Sequence, residues 1–84
     1  MKKYEVRVII STKPELDDPE GETILKNLVL KKNSTVTKIR ISKILSFTIL
    51  EKNKAAAKLQ IQKLCNELRL YNNLVSTITI DVLN

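Results

Sequence analysis

A chain of 84 residues with 43% hydrophobic and 29% charged residues has the composition of one folded domain, and 15 Lys and Arg against 9 Asp and Glu give it a formal net charge of +6. Its single cysteine and lack of histidine exclude an internal disulfide and any metal site or catalytic pair that needs histidine. No apolar run approaches the ~20 residues of a membrane span, so we expect a cytoplasmic protein, and so short a chain, which buries only about 60% of its unfolded surface, is expected to oligomerise.

The first predicted element is a strand over residues 3–10, where hydrophobic and charged side chains alternate with a period of two. The segment after it, residues 13–21, contains both prolines and the only glycine of the chain. Asp18 is predicted to cap a helix, since its carboxylate can accept a hydrogen bond from a free backbone amide, and Pro19 suits the first helical position. Glycine in that first turn, at Gly21, is expected where another chain segment or a ligand approaches the backbone closely.

The helix that begins there is predicted to continue to about residue 30, because apolar residues recur at helical spacing. Residues 35–41 and 44–50 are rich in β-branched and aliphatic side chains and predict two antiparallel strands. Ser42 and Lys43 lie between them and predict a tight hairpin, although serine is not among the residues that such turns favour.

A second helix is predicted over residues 55–70, with Asn72 and Asn73 at its end. Its apolar stripe consists of Ala57, Ile61, Leu64, Cys65 and Leu68. Alternation over residues 77–82 predicts a last strand. The order β-α-β-β-α-β is that of the ferredoxin-like α+β fold, with a four-stranded antiparallel sheet and both helices on one face. The other sheet face mixes polar and apolar side chains, which is typical of a surface that packs against another copy.

Each candidate site has a functional and a plain structural interpretation. The turn at Asp18 is either a simple helix cap or a contact for a partner, and the acidic residues around it favour a basic protein surface over phosphate. Arg40 and Lys43 could bind phosphate or a partner's carboxylates, or be solvated surface residues. Cys65 is predicted to be a buried, inert thiol, since no histidine can act as its base. Asn72 most simply ends the second helix.

Four motifs follow one another along the chain. They are Asp18-Pro19-x-Gly21, Val36-x-x-Ile39-Arg40-Ile41-x-Lys43, Leu64-Cys65-x-x-Leu68, and Asn72 before the last strand. In order and spacing these motifs resemble the PurS family, the small subunit of bacterial phosphoribosylformylglycinamidine (FGAM) synthase. The resemblance covers nearly the whole chain and implies a single PurS-like domain over residues 1–84. The chain departs from the family pattern at Asp17, Ser42, Asn73, Ser76 and Ile78.

The resemblance implies a non-catalytic subunit of an ATP-dependent amidotransferase of de novo purine synthesis. That complex converts formylglycinamide ribonucleotide, glutamine and ATP to FGAM, glutamate, ADP and phosphate. Other subunits use the ATP and Mg²⁺, so this chain is expected to bind no cofactor and no metal. As a homodimer or homotetramer it would join a large synthetase subunit to a glutaminase subunit and support the passage of ammonia. The candidate contact residues are Asp18, Pro19, Gly21, Arg40, Lys43 and Asn72.

A small nucleic-acid-binding module is the alternative function, because RNA-recognition domains combine the same predicted topology with positive charge. Those domains stack bases on aromatic side chains of their central strands. Here the corresponding strands offer only Tyr4 and Phe47, and the alternation places both among core residues. A ligand-sensing domain of the same topology is a further possibility, which fold analogy alone neither supports nor dismisses.

Overall fold

The computed structural model describes residues 1–83 and contains three strands and two helical elements. In chain order these are β1 (Lys2–Thr12), α1 (Pro19–Ile24), which continues as a π-helical segment (Leu25–Val29), β2 (Ser42–Glu51), α2 (Lys54–Glu67) and β3 (Ser76–Val82). The strands form one antiparallel sheet in the order β2-β1-β3. The predicted α+β class, with an antiparallel sheet and two helices, is therefore confirmed.

The sheet has three strands, so the predicted four-stranded ferredoxin-like arrangement is wrong. Residues 36–41 have no regular secondary structure, and Ser42 and Lys43 are the first two residues of β2 and not a hairpin turn. A two-residue hairpin needs left-handed backbone in its turn, and among the described residues other than glycine only Arg69 has a positive φ. Segment 36–41 is instead bound to the start of α1, where the backbone amide of Ile41 donates to Asp18 and not to a neighbouring strand.

The two helices do not share a face of the sheet. α2 packs across all three strands, whereas α1 packs on none of them within the described part of the chain. The buried core lies between α2 and the sheet. It consists of Tyr4, Val6, Val8, Ala57, Ile61 and Cys65. Leu64 and Leu68 belong to the same apolar stripe of α2 but are 36% and 63% exposed, because no second helix packs beside them.

The first helix ends differently from a regular α-helix. The backbone amide of Leu30 donates to the carbonyl oxygen of Leu25 at 2.9 Å, five residues earlier, which is the π-helical pattern. The predicted extent of this helix, from residue 19 to about residue 30, is close to the observed one. No described helix is both long enough and apolar enough to cross a membrane.

The chain forms an elongated molecule. Its principal extents are 51 × 26 × 15 Å and its radius of gyration is 16.4 Å, against about 12 Å for a compact domain of this length. Several large hydrophobic side chains are exposed on the strands, on the first helix and at the end of α2. They include Leu28, Ile44, Leu50 and Leu68. The isolated chain therefore leaves apolar surface that a small soluble protein would normally cover.

The end of α2 requires a left-handed residue, and the chain supplies an arginine there. Arg69 has φ 49°. Its backbone amide donates to the carbonyl oxygen of Asn66 at 3.3 Å, and the backbone amide of Leu70 donates to the carbonyl oxygen of Cys65 at 3.1 Å. These two bonds form a Schellman motif, whose left-handed position is usually glycine because a Cβ crowds the following carbonyl there. The only glycine of the chain is elsewhere, at Gly21.

We expect Arg69→Gly to raise the free energy of unfolding by roughly 0.5–1 kcal/mol, since glycine relieves the left-handed strain but adds entropy to the unfolded chain. Urea denaturation with an unchanged m-value would measure the gain. Arg69→Ala is the matched control: it removes the same charge but keeps the Cβ and should not stabilise the protein. An equal gain in both variants would show that charge, and not backbone strain, is the cause.

Candidate subunit-contact site

The candidate site lies at the end of the sheet where β1 ends and β2 and β3 begin. Its centre is the Asp18 cluster, which we define as Asp18, Gly21, Ile39, Arg40 and Ile41. Asp18 is only 7% exposed. One carboxylate oxygen, Oδ1, accepts from the amide of Gly21 at 3.0 Å, and the other, Oδ2, accepts from the amide of Ile41 at 2.7 Å. The predicted N-cap is confirmed, with Pro19 in the first turn of α1, and the same carboxylate also holds segment 36–41.

Gly21 permits this segment to lie against the helix. It is buried, and a Cβ at this position would overlap the carbonyl oxygen of Ile39 and lie 2.9 Å from its carbonyl carbon. The expectation that another segment approaches the backbone of Gly21 is therefore confirmed, and that segment belongs to the same chain. The glycine is required by space and not by its backbone angles, since its φ is not positive.

Arg40 is tied to the loop between β1 and α1. Its guanidinium donates to the backbone carbonyl oxygens of Leu16 at 2.7 Å, Lys13 at 3.0 Å and Thr12 at 3.2 Å. Five N–H donors in a planar fork make arginine suited to such a cluster of acceptors. The half-buried side chain is thus held by its own chain, a contact that neither of the two interpretations drawn from the sequence included.

The electrostatics of the cluster favour an ionised Asp18. Hydrogen bonds from the amides of Gly21 and then Ile41 lower the pKa of its carboxyl below the ordinary value of 3.8, and the positive charge of Arg40 lowers it further. Partial removal from water raises the pKa of this carboxyl, but by less than the hydrogen bonds and the charge of Arg40 together lower it. The two backbone bonds are therefore charge-assisted at neutral pH, which makes them stronger than bonds between neutral groups.

A cavity of about 340 Å³ adjoins the cluster and is bordered by Asp18, Lys43 and Asn72. Lys43 is exposed. Asn72 forms the turn that leads into β3. Its Oδ1 accepts a hydrogen bond from the backbone amide of Leu74 at 3.0 Å, and its carbonyl oxygen accepts one from the backbone amide of Ser76 at 2.8 Å. The six residues proposed from the sequence are thus brought to one end of the sheet. Their role in subunit contact stays a prediction.

The most important groups that sequence reasoning missed are backbone atoms. The carbonyl of Ile39 and the amide of Ile41 complete the Asp18 cluster, and the carbonyl of Leu16 is one of the acceptors for Arg40. No side chain signals these roles, although the unexplained glycine in the first helical turn pointed to one of them.

Groups that commonly carry out metal-dependent or covalent chemistry are scarce among the described residues. No group of three or more His, Cys, Asp or Glu residues that could hold a metal ion occurs in residues 1–83. Cys65 is buried and free, and burial raises the pKa of its thiol, which keeps it protonated and unreactive. Tyr4 is buried and Phe47 packs against the core, as predicted, so neither presents its ring for base stacking on the open face of the sheet.

The fold and the site place the chain among small α+β proteins, and its buried acidic residue, Asp18, fixes the backbone of two segments. Comparison with known families makes this assignment specific. The family model for PurS, described as phosphoribosylformylglycinamidine (FGAM) synthase, matches residues 5–84. The chain therefore belongs to the PurS family, the PurS subunits of FGAM synthase in purine biosynthesis, as the four motifs implied.

Solved structures agree with the family match. The chain is 29% identical to a chain of the PurLQS structure from Thermotoga maritima. The TM-score of this comparison is 0.86, and it covers 99% of this chain and 100% of that one. PurS from Methanocaldococcus jannaschii is also 29% identical, with a TM-score of 0.82 over 94% of both chains. PurS from Bacillus subtilis is 25% identical, with a TM-score of 0.79 over 96% of this chain and 99% of that one. A search of curated proteins finds no match.

We expect Gly21→Ala to lower the free energy of unfolding by roughly 1–3 kcal/mol, because the new methyl group collides with the backbone carbonyl of Ile39. This outcome runs against helix propensity, which alone favours alanine by about 1 kcal/mol. Chemical denaturation would measure the loss. Glu22→Ala, at the exposed next position of α1, is the control and should change stability much less; a neutral Gly21→Ala would contradict the close contact.

The stability of the protein should depend on the ionisation of Asp18 in acid. Because the pKa of this carboxyl is lowered in the folded state, its contribution is complete above the unfolded value of 3.8 and is lost as the pH falls through the lower folded value. Urea denaturation between about pH 6 and about pH 2.5 should therefore show a weaker acid dependence in Asp18→Asn than in the wild type. Asp17→Asn, at the exposed neighbouring position, should keep the wild-type dependence; if it flattens the profile equally, Asp18 is not the responsible group.

Proposed function

We propose that the chain is the non-catalytic small subunit of the cytoplasmic FGAM synthase complex and acts as one PurS domain over residues 1–84. It supports the assembly of the large synthetase subunit with the glutaminase subunit and the transfer of ammonia between them. Those subunits use ATP, Mg²⁺ and glutamine, and this chain binds none of them. The observation that carries the proposal is the match, over 99% of this chain and 100% of the other, to a chain of the Thermotoga maritima PurLQS structure.

The bonding of the polar groups supports a non-catalytic role. Both carboxylate oxygens of Asp18 and both terminal nitrogens of Arg40 are occupied by backbone groups of the same chain. The thiol of Cys65 is buried on the side of α2 that faces the sheet, and the chain has no histidine to act as its base. A nucleophile and a base within hydrogen-bond reach of each other are the usual mark of covalent catalysis, and these groups do not provide one.

The uncovered hydrophobic surface supports a homodimer or homotetramer. Leu45, Phe47 and Ile49 pack on the core, so alternation directs Ile44 to the opposite face, where it is 58% exposed. A second copy of the chain packed on this open face around Ile44 would bury this side chain. Burial of apolar surface contributes about 25 cal/mol per Å², which makes such a face a driving force for association.

The proposal is tested by FGAM formation from glutamine, with saturating ATP and the cognate large and glutaminase subunits, in the presence and absence of this chain. We expect the glutamine-dependent rate to fall by about tenfold or more without the chain, because ammonia made by an unassembled glutaminase is diluted before it reaches the large subunit.

The control is the same reaction of the large subunit with added ammonium salt, which should proceed with or without the chain. Glutamine-dependent rates that are equal with and without the chain, from subunits shown to be competent, would contradict the assembly role. A loss of the ammonium-dependent rate on omission of the chain would instead indicate a direct part in the synthetase reaction.

A further inference from the structure

A second surface, at the other end of the sheet from the Asp18 cluster, carries a concentration of lysines. We call it the basic end. Its members are Lys2, Lys3, Lys52, Lys54 and Lys58, all exposed. β1 begins here, β2 ends here, and α2 starts here: Lys2 pairs with Glu51 and Lys3 with Leu50 across the two strands. The topology thus collects residues from three parts of the chain into one patch.

Two carboxylates offset part of this charge and leave an excess of lysines. Glu51 pairs with Lys2 and its side chain also accepts from the backbone amide of Lys52 at 3.1 Å, and the exposed Glu5 follows Lys3 on the same face of β1. The first turn of α2 contains no acidic residue, and its cap is the neutral Asn53. Lys54 therefore lies at the positive end of the helix dipole, where lysine is disfavoured in the free protein. A partner that supplies negative charge would turn this unfavourable arrangement into a favourable one.

The charge of the molecule is separated along the sheet. Five of the nine acidic residues lie in residues 15–22, which follow the opposite end of β1. Since β1 has 11 residues, the two ends are about 33 Å apart at the rise of an extended strand. This distance exceeds the screening length of about 10 Å at 0.1 M salt, so the two ends act as independent electrostatic surfaces. The basic end can therefore bind a partner separately from the candidate site.

The apolar residues within the basic end indicate the kind of partner. Leu50, which pairs with Lys3, is 59% exposed, and Met1 is 90% exposed. Tyr4, the aromatic residue next to the lysines in the sequence, is buried. Binding of single-stranded nucleic acid uses exposed aromatic rings as stacking platforms, whereas a protein interface combines apolar contacts with charged residues at its rim. The patch has the second composition.

We infer that the basic end docks on an acidic surface of a partner subunit of FGAM synthase, an inference that rests on the function proposed above. The lysines meet carboxylates of that surface, and Leu50 and Met1 pack against apolar side chains among them. Contacts of this kind raise the rate of association and orient the partners. The Asp18 cluster, at the other end, keeps its own shape without this contact.

The test is the double variant Lys52→Glu/Lys54→Glu. Glutamate at position 54 complements the helix dipole, so the variant is expected to fold as well as the wild type, and circular dichroism and thermal unfolding would verify this. Lys31→Glu/Lys32→Glu is the matched control, because these two adjacent, exposed lysines follow α1 and undergo the same change of charge. The dissociation constant of each protein from a mixture of the cognate large and glutaminase subunits would be measured at two salt concentrations.

We expect the basic-end variant to bind about tenfold or more weakly than the wild type at about 0.1 M NaCl, and the control variant to bind within about threefold of it. At about 0.5 M NaCl the difference should shrink, because salt screens the charges. If the wild type binds and both variants bind equally well, the inference is wrong while the proposed function stands. If the wild type does not bind, the proposed function fails and the inference fails with it. Binding of a single-stranded oligonucleotide that the basic-end variant loses, with unchanged binding of the subunits, would also overturn the inference.

Discussion

The fold depends most on the carboxylate of Asp18, because it binds two parts of the chain that have no other regular link. One oxygen holds the first turn of α1 through the amide of Gly21, and the other holds segment 36–41 through the amide of Ile41. This segment has no sheet partner, so its backbone must find acceptors elsewhere. Since a carboxylate accepts at both oxygens and carries a full charge, a single buried residue supplies both bonds.

The position of α1 follows from the same constraint. A second helix packed on the sheet next to α2 would cover the exposed part of the apolar stripe of α2. The helix α1 does not do so, because it is bound to segment 36–41 and packs on none of the strands. The core is therefore small, and residues such as Leu64 and Leu68 remain partly exposed. The isolated chain is held in shape by polar backbone contacts at one end and by hydrophobic packing under α2, and each region leaves surface for other chains.

Sequence reasoning predicted the elements that carry a periodic pattern and failed where a pattern was ambiguous. Alternation placed β1 and β3 correctly, and helical spacing placed both helices, because these signals arise from burial on one face. The β-branched composition of residues 35–41 predicted a strand, but residues 36–41 lie outside the sheet, because composition cannot specify a hydrogen-bond partner. Sequence reasoning singled out Arg40 but did not foresee its hydrogen bonds within the chain, since the acceptors are backbone carbonyls, which every residue possesses. The family motifs indicated which residues matter before the structure showed what they contact.

The strand order β2-β1-β3 has a consequence for how the protein is made. β1 is translated before β2 and β3 but occupies the centre of the sheet, so both of its ladders join it to segments that are translated later. Contacts between residues so distant in the chain slow folding, because the intervening loop must close before any bond forms. During translation β1 therefore presents two open edges until β2 has left the ribosome and one open edge until β3 follows. A nascent chain of this kind is exposed to aggregation and to chaperones, and native assembly can begin only when synthesis of the domain is nearly finished.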